Sequence, residues 1–231
     1  MKHAVMIPIL LLLGACGGGG DGSTPMTPVT SYDFIAALAT RTETGFTANV
    51  TVSGTVGGQS IGGSGTLDYG PAHDGNFNGA LVRAQTITVN ATITMPGQPD
   101  TPVSSLVTDY YAPNTYNFLL EISGSGYEQP TAPLMYPSTV MVGSSGTLGT
   151  VYGYSSIGTP DNTHSDLSYI VKANPANSNT VIFEAVEKFY DATNTLTETD
   201  HTDYSVGNAG AISFISATAI SGANTITFTA N

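Results

Sequence analysis

The chain has 231 residues, of which 40% are hydrophobic and 10% are charged, and its formal net charge is −12. This length suits one large all-β domain or two small ones, and such a chain can bury a core without disulfides. Only five residues are Lys or Arg. Binding to nucleic-acid phosphates or to anionic lipid headgroups requires clustered basic side chains, and this chain has too few of them. We therefore expect no nucleic-acid partner and no polybasic contact with lipid.

The first residues have the pattern of a secretion signal. Lys2 provides a positive charge, and residues 4–13 form an apolar stretch. A membrane-spanning helix needs about 20 residues, so this stretch is too short to span and fits the apolar region of a signal peptide. The small residues Gly14 and Ala15 follow, and then the single cysteine of the chain, Cys16.

The run Leu13-Gly14-Ala15-Cys16 resembles the lipobox of bacterial lipoprotein precursors. The resemblance implies a signal peptide over residues 1–15, a thioether-linked diacylglycerol on Cys16, and an acyl chain such as palmitate on the new amino group. Two or three acyl chains anchor a protein stably, whereas one does so only marginally. We therefore predict a membrane partner through lipidated Cys16. An ordinary secretory signal, cut elsewhere, is the alternative interpretation.

Residues 16–30 form a glycine-rich segment that ends with Pro25 and Pro28, which is typical of a flexible tether that stiffens at its prolines. The start of this segment resembles many uncharacterised lipoproteins of Gram-negative bacteria. In that group an Asp after the lipidated cysteine retains the protein in the inner membrane. Gly17 stands there instead, so the resemblance implies lipid anchoring in the outer membrane, on either its periplasmic face or the cell surface.

Residues 31–231 are predicted to form a single β-rich domain. A short helix is expected over residues 31–41, with Ser31 as the cap and Asp33 in the first turn, and Gly45 lies just beyond it.

After Gly45 the hydrophobic period changes to two. In residues 46–56 apolar side chains alternate with polar ones, mostly threonine and serine, and Gly57-Gly58 provides a two-residue turn. This pattern predicts antiparallel sheet with one buried face and one wet face. Further strands are predicted at 61–69, 86–95, 103–112, 116–123, 147–155, 166–173, 180–190, 195–206, 211–220 and 225–230.

The predicted fold is therefore all-β: an antiparallel meander of roughly eleven strands, arranged as a sandwich or a curved half-barrel, with one short N-terminal helix. Residues 125–144 contain three prolines and are predicted to be a long irregular segment.

Asp74, Asn76 and Asn78, followed by Gly79, match the first half of a calcium-binding loop. Oxygen ligands at alternate positions and a glycine in the tight turn suit a hard cation. Gln85 stands where such a loop has its bidentate Glu, so a polar hairpin turn explains the segment equally well.

The densest polar cluster is Glu198, Asp200, His201 and Asp203. On a strand, His201 and Asp203 share one face with threonines, which predicts a solvent-facing surface. A metal site needs three or four convergent ligands, and the histidines after the signal lie far apart in sequence, so we predict no metal and no cofactor.

Sequence motifs of common enzymes are missing: there is no nucleophile elbow, zinc-protease helix or phosphate-binding loop. Glu184 and Glu187 are predicted to lie on opposite faces of one strand, so they would not act together as an acid–base pair. We therefore predict that the protein is not an enzyme, with a hydrolase assembled by the fold as a remote alternative.

Tyrosines are frequent in the middle of the chain, where they flank the proline-rich segment. Tyrosine is common at interfaces and also favours strands. The cluster therefore suggests a binding face, which comprises Tyr110, Tyr111, Tyr116, Tyr127, Tyr136, Tyr152 and Tyr154.

The function predicted from the sequence is a membrane-anchored, non-catalytic lipoprotein whose β-domain binds a partner or supports the envelope. The partner would be an envelope protein or a small apolar ligand. Two alternatives stay open: a lipid or lipoprotein carrier or receptor with a half-barrel pocket, and an integral outer-membrane barrel.

Overall fold

The computed structural model describes residues 31–124, 126–156 and 158–231. The predicted signal peptide, Cys16 and the tether lie outside these residues. The described residues contain one α-helix, one short 3₁₀ helix and fifteen strands.

The first half of the described chain contains β1 (Tyr32–Asp33), α1 (Phe34–Thr44), β2 (Phe46–Val56), β3 (Gln59–Tyr69), β4 (His73–Phe77), β5 (Ala80–Thr94), β6 (Thr101–Tyr111) and β7 (Phe118–Ser123). The second half contains β8 (Gly126–Pro130), β9 (Thr139–Val140), β10 (Ser145–Ser156), β11 (Thr159–Ala173), β12 (Val181–Tyr190), β13 (Leu196–Val206), η1 (Asn208–Gly210), β14 (Ile212–Ser221) and β15 (Asn224–Ala230).

Twelve of these strands close into an antiparallel barrel. Their order around the barrel is β3-β2-β15-β14-β13-β12-β11-β10-β8-β7-β6-β5, and β5 pairs with β3 to complete the circle. The strand β4 pairs with the first residues of β5 as an extra strand, and β1 pairs with β9 in a separate ribbon.

The predictions of an all-β antiparallel fold and one short helix are confirmed, but the sheet closes where the sequence predicted a sandwich or a half-barrel. The second edge of β3 pairs with β5 from Gly62 to Tyr69, so that edge is not left open. The predicted irregular segment 125–144 also contributes to the barrel, because β8 lies between β7 and β10.

The helix begins three residues later than predicted. The Asp33 carboxylate accepts a hydrogen bond of 2.8 Å from the backbone N–H of Ala36, so Asp33 caps the helix in place of Ser31. Gly45 ends it with φ of 62°, and a Cβ there would lie 2.3 Å from the carbonyl oxygen of Tyr69. This close approach requires glycine.

One end of the barrel, called here the helix end, is closed by α1. The ring of Phe34 stacks on Phe183 of β12 with centroids 4.2 Å apart. Near the other end of the helix, the carbonyl of Thr42 accepts a hydrogen bond of 2.8 Å from the N–H of Ala72. The turns of the hairpins β2–β3, β12–β13 and β14–β15 lie at the opposite end, called here the mouth.

Most apolar side chains of the barrel strands point inward, although Leu106, Ile170 and Ile220 are exposed on the outer face. Val50, Val52 and Phe228 are at most 6% exposed, whereas the alternate positions Thr51 and Thr229 lie on the outer face. Alternation along each strand therefore separates an apolar interior from a threonine-rich exterior. A membrane-spanning barrel has the opposite arrangement, with the apolar set outward.

Candidate binding site

A cavity of about 770 Å³ lies inside the barrel at the mouth. Residues near the ends of the hairpins form its rim, including Val56, Asp191 and Asn224. Ligand pockets in proteins typically measure about 300–1,000 Å³, so the cavity has the size of a small-molecule site.

The cavity wall has an apolar part and a polar part. The apolar part is formed by Val56, Val151, Phe189, Ala219 and Ile226. Its acidic side chains include Glu128 and Glu198, and the register of β12 and β13 places Glu198 directly opposite Phe189. The two hairpin strands therefore bring a carboxyl group and an aromatic ring to the same inner surface.

Three neighbouring strands each place one carboxyl group inside the barrel. Asp109 of β6 is in register with Glu121 of β7, and Glu121 is in register with Glu128 of β8. The next strand presents Gly153 opposite Glu128, and the side chains of Thr163 and Asp161 occupy the space where a Cβ of Gly153 would lie.

A second group of inward carboxyl groups lies on β12 and β13. Glu187 is in register with Asp200, and Ser165 donates a hydrogen bond of 2.5 Å to Glu187. Asp200 is 4% exposed, and neither of its oxygens accepts a hydrogen bond from an N–H or hydroxyl group within the described residues. We call the complete set the carboxyl belt; it comprises Asp109, Glu121, Glu128, Glu187, Glu198 and Asp200.

Burial raises the pKa of the carboxyl belt because the low-dielectric interior disfavours the charged form. It raises the pKa of Asp109 to about 6, against the opposing effects of Tyr111 and Arg41. The pKa of Glu128 rises to about 7 through burial and then the charges of Asp109 and Asp161.

Burial, followed by the charge of Glu198, raises the pKa of Asp200 to about 8. The pKa values of Glu121 and Glu187 lie well above the usual range for the same first reason. Several belt members therefore hold a proton at neutral pH.

Arg41 of α1 lies beside one end of the carboxyl belt. Its guanidinium donates a hydrogen bond of 2.7 Å to the Tyr111 hydroxyl, which in turn donates one of 2.6 Å to Asp109. The guanidinium also lies 5.6 Å from the centre of the Tyr69 ring. Arg41 and Asp109 are each 1% exposed, so the helix inserts a paired cation into the core.

The other basic side chains of the described residues lie outside the barrel interior. Arg83 pairs with Glu43 and Asp74, while Lys172 pairs with the outer-face Glu184 at 2.5 Å. Lys188 is exposed in outer-face register with Asp166.

The predicted calcium ligands lie in the β4–β5 hairpin. The Asp74 carboxylate binds Arg83 at 2.5 Å, and the Asn76 side chain accepts a hydrogen bond of 3.0 Å from the N–H of Gly79. Asn78 has φ of 51°, as a hairpin turn requires. Two of the three predicted ligands therefore already have protein partners, and calcium binding there stays a prediction.

The predicted tyrosine face is divided between the interior and the exterior. Tyr111 is 1% exposed in the core, and Tyr116 is half-buried with its hydroxyl 3.2 Å from Glu43. Tyr136 is half-buried against Phe34. The remaining members are on the outer face, where Tyr127 pairs with Tyr154, Tyr152 lies near His164, and Tyr110 lies opposite Leu120.

Sequence reasoning missed the carboxyl belt, although one signal was present. In β12 the inward positions run Val181, Phe183, Ala185, Glu187 and Phe189, so a carboxyl group stands in an apolar series. In β13 the predicted solvent-facing residues His201 and Asp203 lie on the outer face, but Glu198 and Asp200 alternate with them and point inward.

Over residues 31–124, 126–156 and 158–231, no three His, Cys, Asp or Glu side chains are grouped so that they could hold a metal ion. Within the same residues, no helix has the length and apolar character needed to cross a membrane. Comparisons with models of known protein families, with curated proteins and with solved structures find no match for this chain.

Proposed function

We propose that this protein is a lipid-anchored binding protein of the bacterial outer membrane, and that its barrel holds a small, largely apolar ligand. The observation that carries the proposal is the cavity of about 770 Å³, which is closed at the helix end and has an apolar part in its wall. The inward apolar side chains and threonine-rich exterior of the strands support this proposal over an integral membrane barrel.

The proposed role is non-catalytic. Ser165 and His164 are adjacent in sequence, but they occupy opposite faces of β11, and the His164 ring stacks on Tyr190 at 4.8 Å. The Ser165 hydroxyl donates instead to Glu187, whose pKa is raised far above the usual range by burial. A protonated carboxyl group is a poor general base, which supports binding over hydrolysis.

A carrier or receptor for lipid is the second candidate, because an acyl chain would contact the same apolar wall. In that role the ligand's tail would extend past Glu128 and Glu198 into the barrel. The cost of burying acyl methylenes against carboxyl groups makes this candidate less favoured than a compact ligand.

Binding in the cavity can be tested with the neutral fluorescent probe N-phenyl-1-naphthylamine. We expect its emission to rise when it is titrated with the lipid-free chain from residue 17, which retains every described core residue. Ala219→Phe fills the cavity wall, so it should weaken binding at least about tenfold, or 1.4 kcal/mol.

Ile220→Phe is the matched control, because Ile220 is the next residue on the same strand and is 38% exposed. It should leave probe affinity unchanged. A folded wild-type chain that does not enhance the emission would contradict the proposed binding function.

The lipid anchor can be tested in a Gram-negative host fed with labelled palmitate. The full chain should incorporate the label, and Cys16→Ser should abolish it, because the thiolate sulfur is the atom that the lipobox resemblance makes the acceptor. Gly17→Asp should keep the label but move the protein to the inner-membrane fraction. Label that persists in the Cys16→Ser protein would show that the anchor is elsewhere.

A further inference from the structure

The titratable groups in the polar part of the cavity wall are mainly carboxyl groups. Glu128 and Glu198 contribute carboxyl groups, and the Ser165 hydroxyl is already donated to Glu187. A ligand in this cavity therefore meets carboxyl groups whose ionised form a positive charge would stabilise.

The protein supplies no such charge at this position. Among the described residues, each Arg and Lys either pairs elsewhere or lies on the outer face, and Arg41 is bonded through Tyr111 at the other end of the belt. The carboxyl groups at the mouth thus have no basic partner from the chain.

A buried carboxyl group below the mouth, that of Asp200, also has no basic partner from the chain. Asp200 faces the interior two residues from Glu198 and is 4% exposed, and among the described residues its carboxyl group is hydrogen-bonded to Glu198 but to no N–H or basic group. Two inward-pointing carboxyl groups that pair only with each other keep their charged forms costly, and a cation beside them would lower that cost.

We infer that the natural ligand carries a cationic nitrogen, which contacts Glu128 and Glu198 while its apolar body packs on Val151, Phe189 and Ile226. This inference rests on the proposed binding function. The class comprises compact amphipathic amines, whose charge complements the carboxyl groups and whose body complements the apolar wall.

Binding of a cationic ligand also changes the protonation of the cavity wall. A bound cation favours the ionised form of Glu128, which is faced by Glu121, Asp109, Asp161 and Glu187, and of Glu198, which is faced by Asp200. Asp191 and His164 lie at the rim of the same cavity. Binding of an amine near neutral pH should therefore release protons, whereas binding of a neutral ligand should not.

The test uses three probes with one apolar body: 1-adamantanamine, 1-adamantanol and 1-adamantanecarboxylate. Each is titrated calorimetrically at about pH 7 into the full chain held in lipid nanodiscs, in two buffers of different ionisation enthalpy. We expect the amine to bind at least about tenfold more tightly than the alcohol, and the carboxylate to bind most weakly. Only the amine should release protons.

The double variant Glu128→Gln/Glu198→Gln should reduce amine affinity to that of the alcohol and abolish proton release. The control Glu184→Gln changes a carboxyl group on the outer face of β12 and should change neither quantity. Affinity for the alcohol serves as an internal reference. A variant that still binds the alcohol is folded, so a lower affinity for the amine alone reports the loss of charge recognition.

Equal affinity for amine and alcohol would overturn the inference and leave the proposed function standing. Amine preference that survives in the double variant would also overturn it, because the charge would then be recognised elsewhere. If none of the three probes binds the folded wild-type chain, both the inference and the proposed function fail.

Discussion

Replacing Arg41 with Met should lower the free energy of unfolding by about 3–5 kcal/mol at about pH 7.5, the usual cost of removing one partner of a buried ion pair. Methionine keeps the apolar length of the side chain but leaves Asp109 and Tyr111 without the guanidinium. It also removes the contact between the helix and the Tyr69 ring. Urea unfolding followed by far-ultraviolet circular dichroism measures the loss.

Arg83→Met provides the matched control, because it removes an arginine that also binds the helix. Arg83 pairs with Glu43 and Asp74, and the Asp74 side chain is 71% exposed. Partly exposed pairs contribute about 0–1 kcal/mol, so this variant should lose little. Adding Asp109→Asn to Arg41→Met should recover part of the stability, since it removes the unpaired charge. Equal losses in the two arginine variants would contradict the assigned role of Arg41.

The barrel should be more stable at about pH 5 than at about pH 8.5, the reverse of proteins whose carboxylates are stabilised by ion pairs. Carboxyl groups of an unfolded chain titrate near pH 4. Burial raises the pKa of Asp109, Glu128 and Asp200 to about 6, 7 and 8 in the folded chain. Between those limits the folded state holds more protons, so the free energy of unfolding falls as pH rises from about 4 to 8.

Thermal unfolding across this pH range measures the effect. A fall of about 2 kcal/mol corresponds to about 4–8 °C in Tm for a chain of this size. The variant Asp200→Asn/Glu187→Gln should flatten the dependence, because neither replacement titrates. Glu184→Gln should not flatten it. Burial opposes ionisation of Glu184, but hydrogen bonds from Lys172 and His201 outweigh burial and lower its pKa, so its contribution to the pH dependence has the opposite sign.

The local structure of this protein follows largely from its sequence. The strand predicted at residues 46–56 matches β2 at both ends, and Gly57 and Gly58 form the turn with φ of 59° and 76°. Glu184 and Glu187 lie on opposite strand faces, as alternation predicted. These features depend on neighbouring residues alone, namely side-chain period and the freedom of glycine at positive φ.

Helix and strand ends were less well predicted where a side chain decides them. The carboxylate of Asp33, rather than the hydroxyl of Ser31, caps the helix. Three prolines favoured an irregular segment over residues 125–144, yet β8 ends at Pro130 and pairs on both sides before that point.

Only the tertiary structure determined that the sheet closes into a barrel and which residues form the candidate binding site. Alternation shows that two faces differ, but pairing of β3 with β5 turns one face into an enclosed interior, and that pairing joins residues distant in sequence. The same closure buries Tyr111 and divides the predicted tyrosine face. It also brings carboxyl groups from five strands into one interior belt, of which Glu128 and Glu198 line the cavity. The sequence by itself therefore determined most of the strands and their two faces, and it predicts a lipid anchor at Cys16. Which groups meet inside was set by long-range strand register, which no local pattern encodes.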